Sequence, residues 1–359
     1  GLLMTTKTVA VIEGEGASPE AVRPVVELID SMKLGIEWAY PPGGELGEKK
    51  HDSIFPEEAK EIIDSADTTF FGSASGKATL ALLHLRWGRQ TFANMRPTRW
   101  IPGYHSNLAD PDGIDFVIVR ENLEDMYLMA EGDVGNLAPL DLLSPLHRKK
   151  VHELGSGKFA IKVITVERTK QVAKFAFELA QRRKSAGYPG KVTVSSKYNM
   201  LPQSDGLFRD VACEVGKSYS DIECETIIVD NLAHQLVVAP KSFDVILLPN
   251  LYGDILSDES AGLVGGLGLA PSGSFGDDYA YFEPVHGTAP DIVGQNIINP
   301  TATLLSATMM LDYLGFKDEA SAVDKAMEAV YAKGQVLTPD QGGDASATDF
   351  IGAVNGELG

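Results

Sequence analysis

Apolar positions follow two spacings that alternate from one end of the chain to the other. Residues 8–12 form a β-branched run that predicts a buried strand, and residues 19–32 carry apolar side chains at helical spacing. A glycine turn, Gly14-Glu-Gly16, lies between them. A strand, a glycine turn and a helix in this order predict the start of an α/β layer.

The same two patterns recur along the chain and predict an α/β fold with open sheets flanked by helices. Strands are predicted at residues 68–71, 116–119, 159–165, 191–194, 225–229 and 243–249. Helices are predicted at residues 60–66, 79–91, 167–183, 300–313 and 319–332. Residues 127–155 break the pattern with glycine, proline and mixed polar residues, so this segment is predicted to be an arm outside the core.

The composition and charge of the chain limit the classes of molecule that it is expected to bind. The chain has 359 residues, enough for two lobes, and its formal net charge of −19 argues against nucleic acid or an anionic membrane as the main partner. No run approaches the ~18 apolar residues that a membrane helix needs. Cys213 and Cys224 show no metal-ligand spacing. They are predicted to be small core residues of a protein from a reducing compartment, the cytoplasm.

A pair of carboxylates follows the predicted strand at residues 243–249. Asp254 and Asp258 stand at i and i+4 in Asn250-Leu-Tyr-Gly-Asp-Ile-Leu-Ser-Asp258, a segment predicted to be helical. They would share one helix face, where two like charges repel unless a cation lies between them. Oxygen ligands of this kind suit Mg²⁺ or Mn²⁺. For such a pair taken alone, a solvated polar face is the alternative.

Three arginines are candidates for binding an acidic substrate. Arg86 and Arg96 flank a helix-to-strand segment, and Arg120 ends the predicted strand at residues 116–119. Arginine makes bidentate pairs with carboxylates, so converging arginines suit a di- or tricarboxylate. Tyr127 follows Arg120 closely, and a tyrosine hydroxyl near a cation can act as a general acid.

Two further candidates also stand at predicted strand ends. Lys197 follows the strand at residues 191–194, where a partly desolvated lysine can serve as a base. Asp230 ends the strand at residues 225–229. Ligands of α/β proteins bind at the carboxyl ends of strands. The sequence therefore predicts one site that gathers Arg120, Lys197, Asp230 and the Asp254/Asp258 pair.

A second loop combines small residues with an acidic one. It reads Glu283-Pro-Val-His-Gly-Thr-Ala-Pro-Asp-Ile292 and is followed by Asn299. Asp291 is suited to accept hydrogen bonds from a ribose diol, as acidic residues do for NAD, and it would repel a 2′-phosphate. The turn at residues 14–16 lacks the third glycine of a Rossmann fingerprint, so the dinucleotide is not predicted to bind there.

Together these residues resemble the isocitrate/isopropylmalate dehydrogenase family, the β-decarboxylating dehydrogenases of (2R)-hydroxy acids. The resemblance covers essentially the whole chain, and its most specific motifs are residues 250–258 and the loop His286-Gly-Thr-Ala-Pro-Asp291. It implies an isopropylmalate dehydrogenase-like two-domain fold. The large domain would comprise residues 4–97 and 254–359, and the small domain residues 98–253, with a dimer-clasping arm at about 127–155.

The resemblance also implies roles for the candidate residues. The substrate's carboxylates would bind Arg86, Arg96 and Arg120, and Mg²⁺ or Mn²⁺ would bind Asp230, Asp254 and Asp258. The catalytic residues would be Tyr127, Lys197 and Asp230, the last two supplied by the other subunit of a homodimer with shared active sites. NAD would bind Glu283, His286, Gly287, Thr288, Ala289, Asp291, Ile292 and Asn299. Where Asp291 and Ile292 stand, NADP enzymes carry a basic residue and a tyrosine.

The chemical nature of the substrate's variable group is predicted from a segment whose length and sequence differ from those usual in the family. Residues 72–86, which recognise that group, are several residues shorter than usual. Leu82, Leu83 and Met200, next to Asn199, predict an apolar pocket. Such a pocket favours 3-isopropylmalate or another 3-alkylmalate, because burying an unpaired carboxylate is costly. The opening turn also departs, with Gly-Glu-Gly-Ala-Ser-Pro-Glu for the usual Gly-Asp-Gly-Ile-Gly-Pro-Glu.

Other features favour different substrates. Arg120-Glu-Asn and Lys197-Tyr-Asn-Met-Leu-Pro resemble the isocitrate, homoisocitrate and tartrate branches, and Lys77 or Ser75 could reach a distal carboxylate. Isocitrate or homoisocitrate is therefore the alternative, with D-malate or tartrate after it. A catalytically silent partner subunit would lack the lysine, the tyrosine or a metal aspartate, all present here. A Rossmann dehydrogenase without decarboxylation would need the missing third glycine.

Overall fold

A mixed ten-stranded sheet forms the centre of the protein in the computed structural model, which describes residues 6–359. In chain order the strands are β1 (Lys7–Ile12), β2 (Ile36–Ala39), β3 (Thr68–Phe71), β4 (Ala93–Arg99), β5 (Asp115–Glu121), β6 (Glu131–Asp133), β7 (Leu143–Ser144), β8 (Lys149–Lys150), β9 (Lys158–Ala160), β10 (Lys191–Ser196), β11 (Glu223–Ile228), β12 (Val245–Leu248), β13 (Pro271–Phe275) and β14 (Ala280–Pro284).

Helices cover the sheet. They are α1 (Ser18–Ser31), α2 (Gly44–His51), α3 (Glu57–Ser65), α4 (Thr79–Leu83), α5 (Val166–Ser185), α6 (Ser204–Gly216), α7 (Val229–Val238), α8 (Asn250–Val264), α9 (Thr301–Tyr313), α10 (Lys317–Lys333) and α11 (Ala347–Leu358). Local sequence sets several of their ends. Pro19 lies in the first turn of α1, and the Thr165 hydroxyl accepts a hydrogen bond from the Arg168 N–H at the start of α5.

The sheet consists of two parallel groups joined by antiparallel strands. Its order is β11-β10-β12-β5-β4-β13-β14-β3-β1-β2. The strands β11, β10, β12 and β5 are parallel neighbours, as are β14, β3, β1 and β2, while β4 and β13 between them pair antiparallel. The two outer groups therefore run in opposite directions. The strands before Arg120, Lys197, Asp230 and Asp254 all belong to the first group.

Separate apolar clusters lie along this sheet. One joins α1, α9, α10 and α11 with β1 and β14, whereas two others are built around β5, β10 and β12 from the middle of the chain. Leu256, Leu263 and Val264 of α8 pack in one of the middle clusters. The division into residues 4–97 plus 254–359 and residues 98–253 stays a prediction, and its residues 4 and 5 lie outside the described part.

The predicted arm consists of short elements with apolar side chains facing outwards. Strand β6 pairs with β9, and β7 pairs with β8 in a small hairpin. The exposed apolar residues here are Leu128, Met129, Leu140, Leu142, Leu143, Leu146 and Leu154. Such a concentration on a non-core segment is typical of a surface that another protein covers.

Three local predictions are corrected by the structure. The predicted strand at residues 159–165 ends as β9 at Ala160, and beyond it only an isolated bridge between Val163 and Asp125 remains, with the Ile161 and Val163 side chains exposed. The predicted helix at residues 79–91 is α-helical only to Leu83 and continues as a π-helical turn, His84–Gly88. Cys213 is half-buried and Cys224 exposed, so neither is a core residue. Within residues 6–359, no helix combines the length and the apolarity needed to span a membrane.

Candidate active site

Three arginines converge on α8 from different elements. Arg86 comes from the π-helical turn, Arg96 from β4 and Arg120 from the end of β5. Arg96 and Arg120 each place Nη1 3.3 Å from Asp254 Oδ1. Arg86 Nη2 donates to Asn250 Oδ1 at 3.1 Å, and Arg120 Nε donates to the same oxygen at 2.9 Å. The predicted convergence of these arginines is therefore present within one chain.

Arg120 is the most buried member of this arginine cluster. It is 2% exposed, and burial together with Arg86 and Arg96 lowers its pKa to about 9. Its Nη2 atom is buried and has no hydrogen-bond partner among residues 6–359. An unpaired buried donor is costly, and guanidinium geometry matches a carboxylate. The free Nη2 therefore fits a substrate carboxylate as the missing acceptor.

Tyr127 lies against the same cluster. Its ring is under the Arg86 and Arg120 guanidinium groups, at 5.1 Å and 4.8 Å from centroid to Cζ. Its hydroxyl donates a hydrogen bond to Asp254 Oδ2. Burial, and then the hydrogen bond to Asp254, raise the pKa of Tyr127, whereas the arginines oppose this. The phenol is thus kept protonated, as a proton donor must be.

Asp254 and Asp258 share one face of α8, as their spacing predicts. Burial acts to raise the pKa of Asp254, but Arg120 and the Tyr127 hydroxyl outweigh it and lower the pKa. Burial raises the pKa of Asp258, and Asp254 adds to this, while Arg96, 3.7 Å away, opposes it. Two hard carboxylates with mutual repulsion fit the donor set of a divalent cation. Among residues 6–359 of one chain, however, no three potential metal ligands cluster.

Lys197 and Asp230 contact each other but not the arginine cluster. The Lys197 ammonium pairs with Asp230 Oδ2, and this hydrogen bond lowers the pKa of Asp230. Neither side chain has a hydrogen bond or ion pair with Asp254 or Asp258 in the described part of the chain. The structure thus brings together Arg86, Arg96, Arg120, Tyr127, Asp254 and Asp258, and holds Lys197 and Asp230 as a separate pair.

Two residues of this region were not among the predicted site residues. Asn250 accepts from Arg86 and Arg120 and donates to the Glu124 carbonyl at 2.9 Å. Asp205 accepts the Lys197 N–H at 2.7 Å and so fixes the turn that carries this lysine. Asn250 opens the motif at residues 250–258, which was a usable signal. Asp205 is a lone acidic residue in the sequence, so only the fold reveals its role.

The loop after β14 is the predicted cofactor site. The Ser73 hydroxyl donates to the His286 carbonyl at 2.7 Å, and burial lowers the pKa of His286. His286 Nε2 is buried and has no hydrogen-bond partner in the described part of the chain. Ala289 adopts a left-handed conformation with φ 47°. An orphaned ring nitrogen beside a bent, small-residue loop fits a bound cofactor.

The other residues of this loop differ in how exposed they are and in how many hydrogen bonds they form. Gly287 has no atom within 4 Å of where a Cβ would stand, so its backbone is open to a ligand. Thr288 and Ile292 are half-buried, and Asp291 is exposed. Asn299 is 5% exposed, and its amide bonds Asp340, Tyr331 and Thr301 inside the protein. Burial raises the pKa of Glu283 to about 7, against the effect of the three arginines.

The segment predicted to recognise the substrate's variable group presents apolar side chains. Leu83 is exposed, whereas Leu82 packs partly against the cluster of Phe71 and Leu85. Met200 and its neighbour Asn199 are also exposed. The two residues of the shortened loop that were predicted to reach a distal carboxylate, Ser75 and Lys77, have partners within the chain. Lys77 pairs with Glu48, and the Ser75 hydroxyl donates to Glu15 Oε2 at 3.2 Å.

Comparison with known proteins decides the family. The sequence profile described as isocitrate/isopropylmalate dehydrogenase matches residues 8–354. The chain belongs to this family. It is 40% identical, over 96% of its length and 97% of the relative's, to the 3-isopropylmalate/3-methylmalate dehydrogenase of Methanocaldococcus jannaschii. It is also 40% identical, with the same coverage, to the isocitrate/homoisocitrate dehydrogenase of Thermus thermophilus.

Solved structures agree with this membership. The crystal structure of isocitrate dehydrogenase from Methylococcus capsulatus matches with a TM-score of 0.83 and 30% sequence identity, over 98% of this chain and 99% of that one. The predicted α/β fold of the family is therefore confirmed. As a family member the protein is an NAD-dependent decarboxylating dehydrogenase, and the family requires a divalent metal.

Proposed function

We propose that this enzyme oxidatively decarboxylates a (2R)-hydroxy acid with a malate core, and that 3-isopropylmalate or another 3-alkylmalate is its substrate. The observation that carries the proposal is the buried arginine cluster, in which Arg120 Nη2 lacks an acceptor. A substrate carboxylate supplies that acceptor. Arg86 and Arg96 belong to the same cluster and provide the additional positive charge that a dicarboxylate needs.

The cluster orients the substrate beside the acid and the metal ligands. Asp254 and Asp258, with Asp230 of a second subunit, would hold Mg²⁺ or Mn²⁺, which polarises the C2 oxygen when bound. The loop at residues 283–299 would hold NAD⁺, which would supply the hydride acceptor for the oxidation. Fixing the carboxylates on three arginines would limit the orientations that the substrate can adopt beside Tyr127 and Asp254.

Two side chains move protons in this proposal. Lys197 of a second subunit accepts the C2 hydroxyl proton during oxidation. After CO₂ leaves, the Tyr127 hydroxyl donates its proton to the enol carbon. Tyr127 is suited to this because its pKa is raised and its hydroxyl is already fixed by Asp254.

A homodimer with shared active sites is supported by the separation of the two groups. One chain holds the arginine cluster and Tyr127, whereas its Lys197 and Asp230 side chains pair with each other and, among residues 6–359, form no hydrogen bond or ion pair with that cluster. The exposed apolar side chains of the arm are suited to a partner that brings the second group close. The placement in the cytoplasm remains a prediction from composition.

Apolar recognition of the variable group is supported by what the shortened loop lacks. Lys77 pairs with Glu48 and the Ser75 hydroxyl donates to Glu15, so both polar groups face partners within the chain. Leu83 and Met200 are exposed for an alkyl group. The second candidate, isocitrate or homoisocitrate, is supported by the equal identity to the Thermus enzyme and by the Arg120-Glu-Asn motif.

The test is NADH formation by the purified protein with Mn²⁺ and each of 3-isopropylmalate, isocitrate, homoisocitrate, D-malate and tartrate. We expect the highest kcat/KM with 3-isopropylmalate, and a preference for NAD⁺ over NADP⁺. Replacing Leu83 by Ser should lower kcat/KM for 3-isopropylmalate by about 10-fold, because part of the apolar contact is lost. A preference for isocitrate in the unmodified enzyme would show that the alkyl pocket has been wrongly assigned.

A further inference from the structure

The two departures from the family pattern meet at one place. We name residues 13–18 the first turn and residues 72–78 the short loop. The Glu15 carboxylate accepts three hydrogen bonds from the short loop, from Ser75 N at 3.3 Å, from Ser75 Oγ at 3.2 Å and from Ala78 N at 2.6 Å. Hydrogen bonds to a carboxylate are stronger than those between neutral groups.

The backbones of these two segments are also in direct contact. Glu15 N donates to the Ser73 carbonyl at 2.9 Å, and Ser73 N donates to Ser18 Oγ at 2.7 Å. A Cβ on Gly14 would stand 2.3 Å from the Ser73 carbonyl oxygen, so only glycine fits. The first turn and the short loop are thereby held as one unit.

The opposite side of this unit contacts the cofactor loop. Ala17 N donates to the Thr288 carbonyl at 2.8 Å, and a Cβ on Gly16 would stand 2.4 Å from that oxygen. Ser73 Oγ donates to the His286 carbonyl at 2.7 Å. The first turn therefore lies between the loop proposed to hold NAD and the segment proposed to read the substrate.

The position of Ala78 explains why Glu15 matters to the substrate site. Ala78 directly precedes α4, and α4 continues through Leu83 into the turn that carries Arg86. Ala78 offers no capping side chain, and the Glu15 carboxylate is the acceptor for its N–H. Losing that acceptor frees the start of the segment that ends in Arg86.

We propose that Glu15 is a positioning residue that fixes the substrate-reading segment, residues 78–86, to the cofactor loop. It touches neither substrate nor reacting atoms, and its effect on catalysis rests on the proposed function. The effect of Glu15 on the short loop does not rest on the proposed function, because its hydrogen bonds to that loop are present in the protein without substrate. The altered first turn and the shortened loop are thus parts of one arrangement.

The experiment compares Glu15→Ala and Glu15→Asp in the full chain, with Glu13→Gln as the matched control. Glu13 is in the same turn, but its carboxylate pairs with Arg23 and not with the short loop. In Glu15→Ala we expect faster hydrogen exchange at residues 73–83. We also expect KM for the hydroxy acid to rise about 10-fold, as the loss of a charged hydrogen bond implies, with kcat changed by less than about threefold.

Glu15→Asp keeps the charge on a shorter side chain, so both effects should be intermediate. The control should match the unmodified enzyme. Unchanged exchange at residues 73–83 in Glu15→Ala would overturn the proposal, as would equal rises of KM in Glu15→Ala and Glu13→Gln. If the unmodified enzyme oxidises none of the hydroxy acids, the proposed function fails. Hydrogen exchange still decides the role of Glu15, and Glu15→Asp serves if the alanine variant does not fold.

Discussion

The arginine cluster and the Lys197–Asp230 pair differ in how far one chain completes them. The cluster is largely buried, and Asp254 and Asn250 together contact all three of its arginines. The pair is more exposed, with 29% of the Lys197 side chain and 63% of the Asp230 side chain accessible. The cluster is thus organised within one chain, whereas the Lys197–Asp230 pair forms no hydrogen bond or ion pair with the cluster among residues 6–359.

This difference indicates where preorganisation is needed. Binding a dicarboxylate requires several cations held together against their own repulsion, which only a buried network with a fixed counter-charge can do. A base and a metal ligand can be brought to that site by another subunit, because an exposed ion pair costs little to present. Each of the following predictions tests one side of this comparison.

The largest effect is expected at Lys197. Replacing it by Met removes the proposed base without adding volume or charge, so kcat should fall by about 10²–10⁴-fold. Steady-state NADH formation measures this. Lys241→Met is the control, because Lys241 pairs with Asp110 on the surface and lies outside the site. A kcat within threefold of the unmodified value would exclude Lys197 as the base.

The same variant tests whether sites are shared. If Lys197 acts across subunits, co-refolding equal amounts of inactive Lys197→Met and Asp254→Asn chains gives hybrid dimers with one intact site, restoring about a quarter of the activity. The Asp254 variant keeps the arginine cluster but loses its counter-charge. No recovery in verified hybrid dimers would show that each chain builds its whole site alone.

The next effect is expected at Tyr127, on the organised side of the comparison. Tyr127→Phe removes only the hydroxyl, so overall decarboxylation should fall by about 10²-fold or more, while reduction of the ketoacid intermediate by NADH is largely spared. Parallel assays of the two half-reactions measure the ratio. Equal losses in both would contradict the assignment of Tyr127 as the acid that protonates the enol.

The smallest effect concerns stability. Burial raises the pKa of Glu283 from 4.5 to about 7. Glu283 therefore binds its proton more tightly in the folded than in the unfolded protein. The stability that this contributes is fully present below pH ~4.5 and is lost as the pH rises through ~7. Glu283→Gln stays uncharged, so its unfolding free energy should decline less over this range, by about 1–3 kcal/mol.

Urea unfolding at a series of pH values, with EDTA present, measures this difference. Glu61→Gln on the exposed face of α3 is the control and should follow the unmodified protein. Parallel curves for Glu283→Gln and the unmodified enzyme would show that Glu283 is not held neutral by burial. The positive charge of the arginine cluster would then have to be compensated in a different way from the one that its geometry indicates.

Features that depend only on residues close together in the sequence could be predicted from the sequence. The i, i+4 spacing of Asp254 and Asp258 places both on one face of α8, because helix periodicity is local. The motif residues around them and in the loop at residues 286–291 were specific enough to predict the family, which the comparisons confirm. The apolar periodicity likewise predicted the main strands and helices.

Only the tertiary structure decided which distant residues share a partner. Asn250 accepts hydrogen bonds from Arg86 and Arg120, and Glu15 accepts them from the short loop. Each acceptor is far from its donors in the sequence. The opposite direction of the two parallel groups and the π-helical turn at Arg86 are also tertiary outcomes. Periodicity reports which side of an element is buried, but hydrogen bonds across the fold depend on strand order and on close backbone approach, which no local pattern encodes.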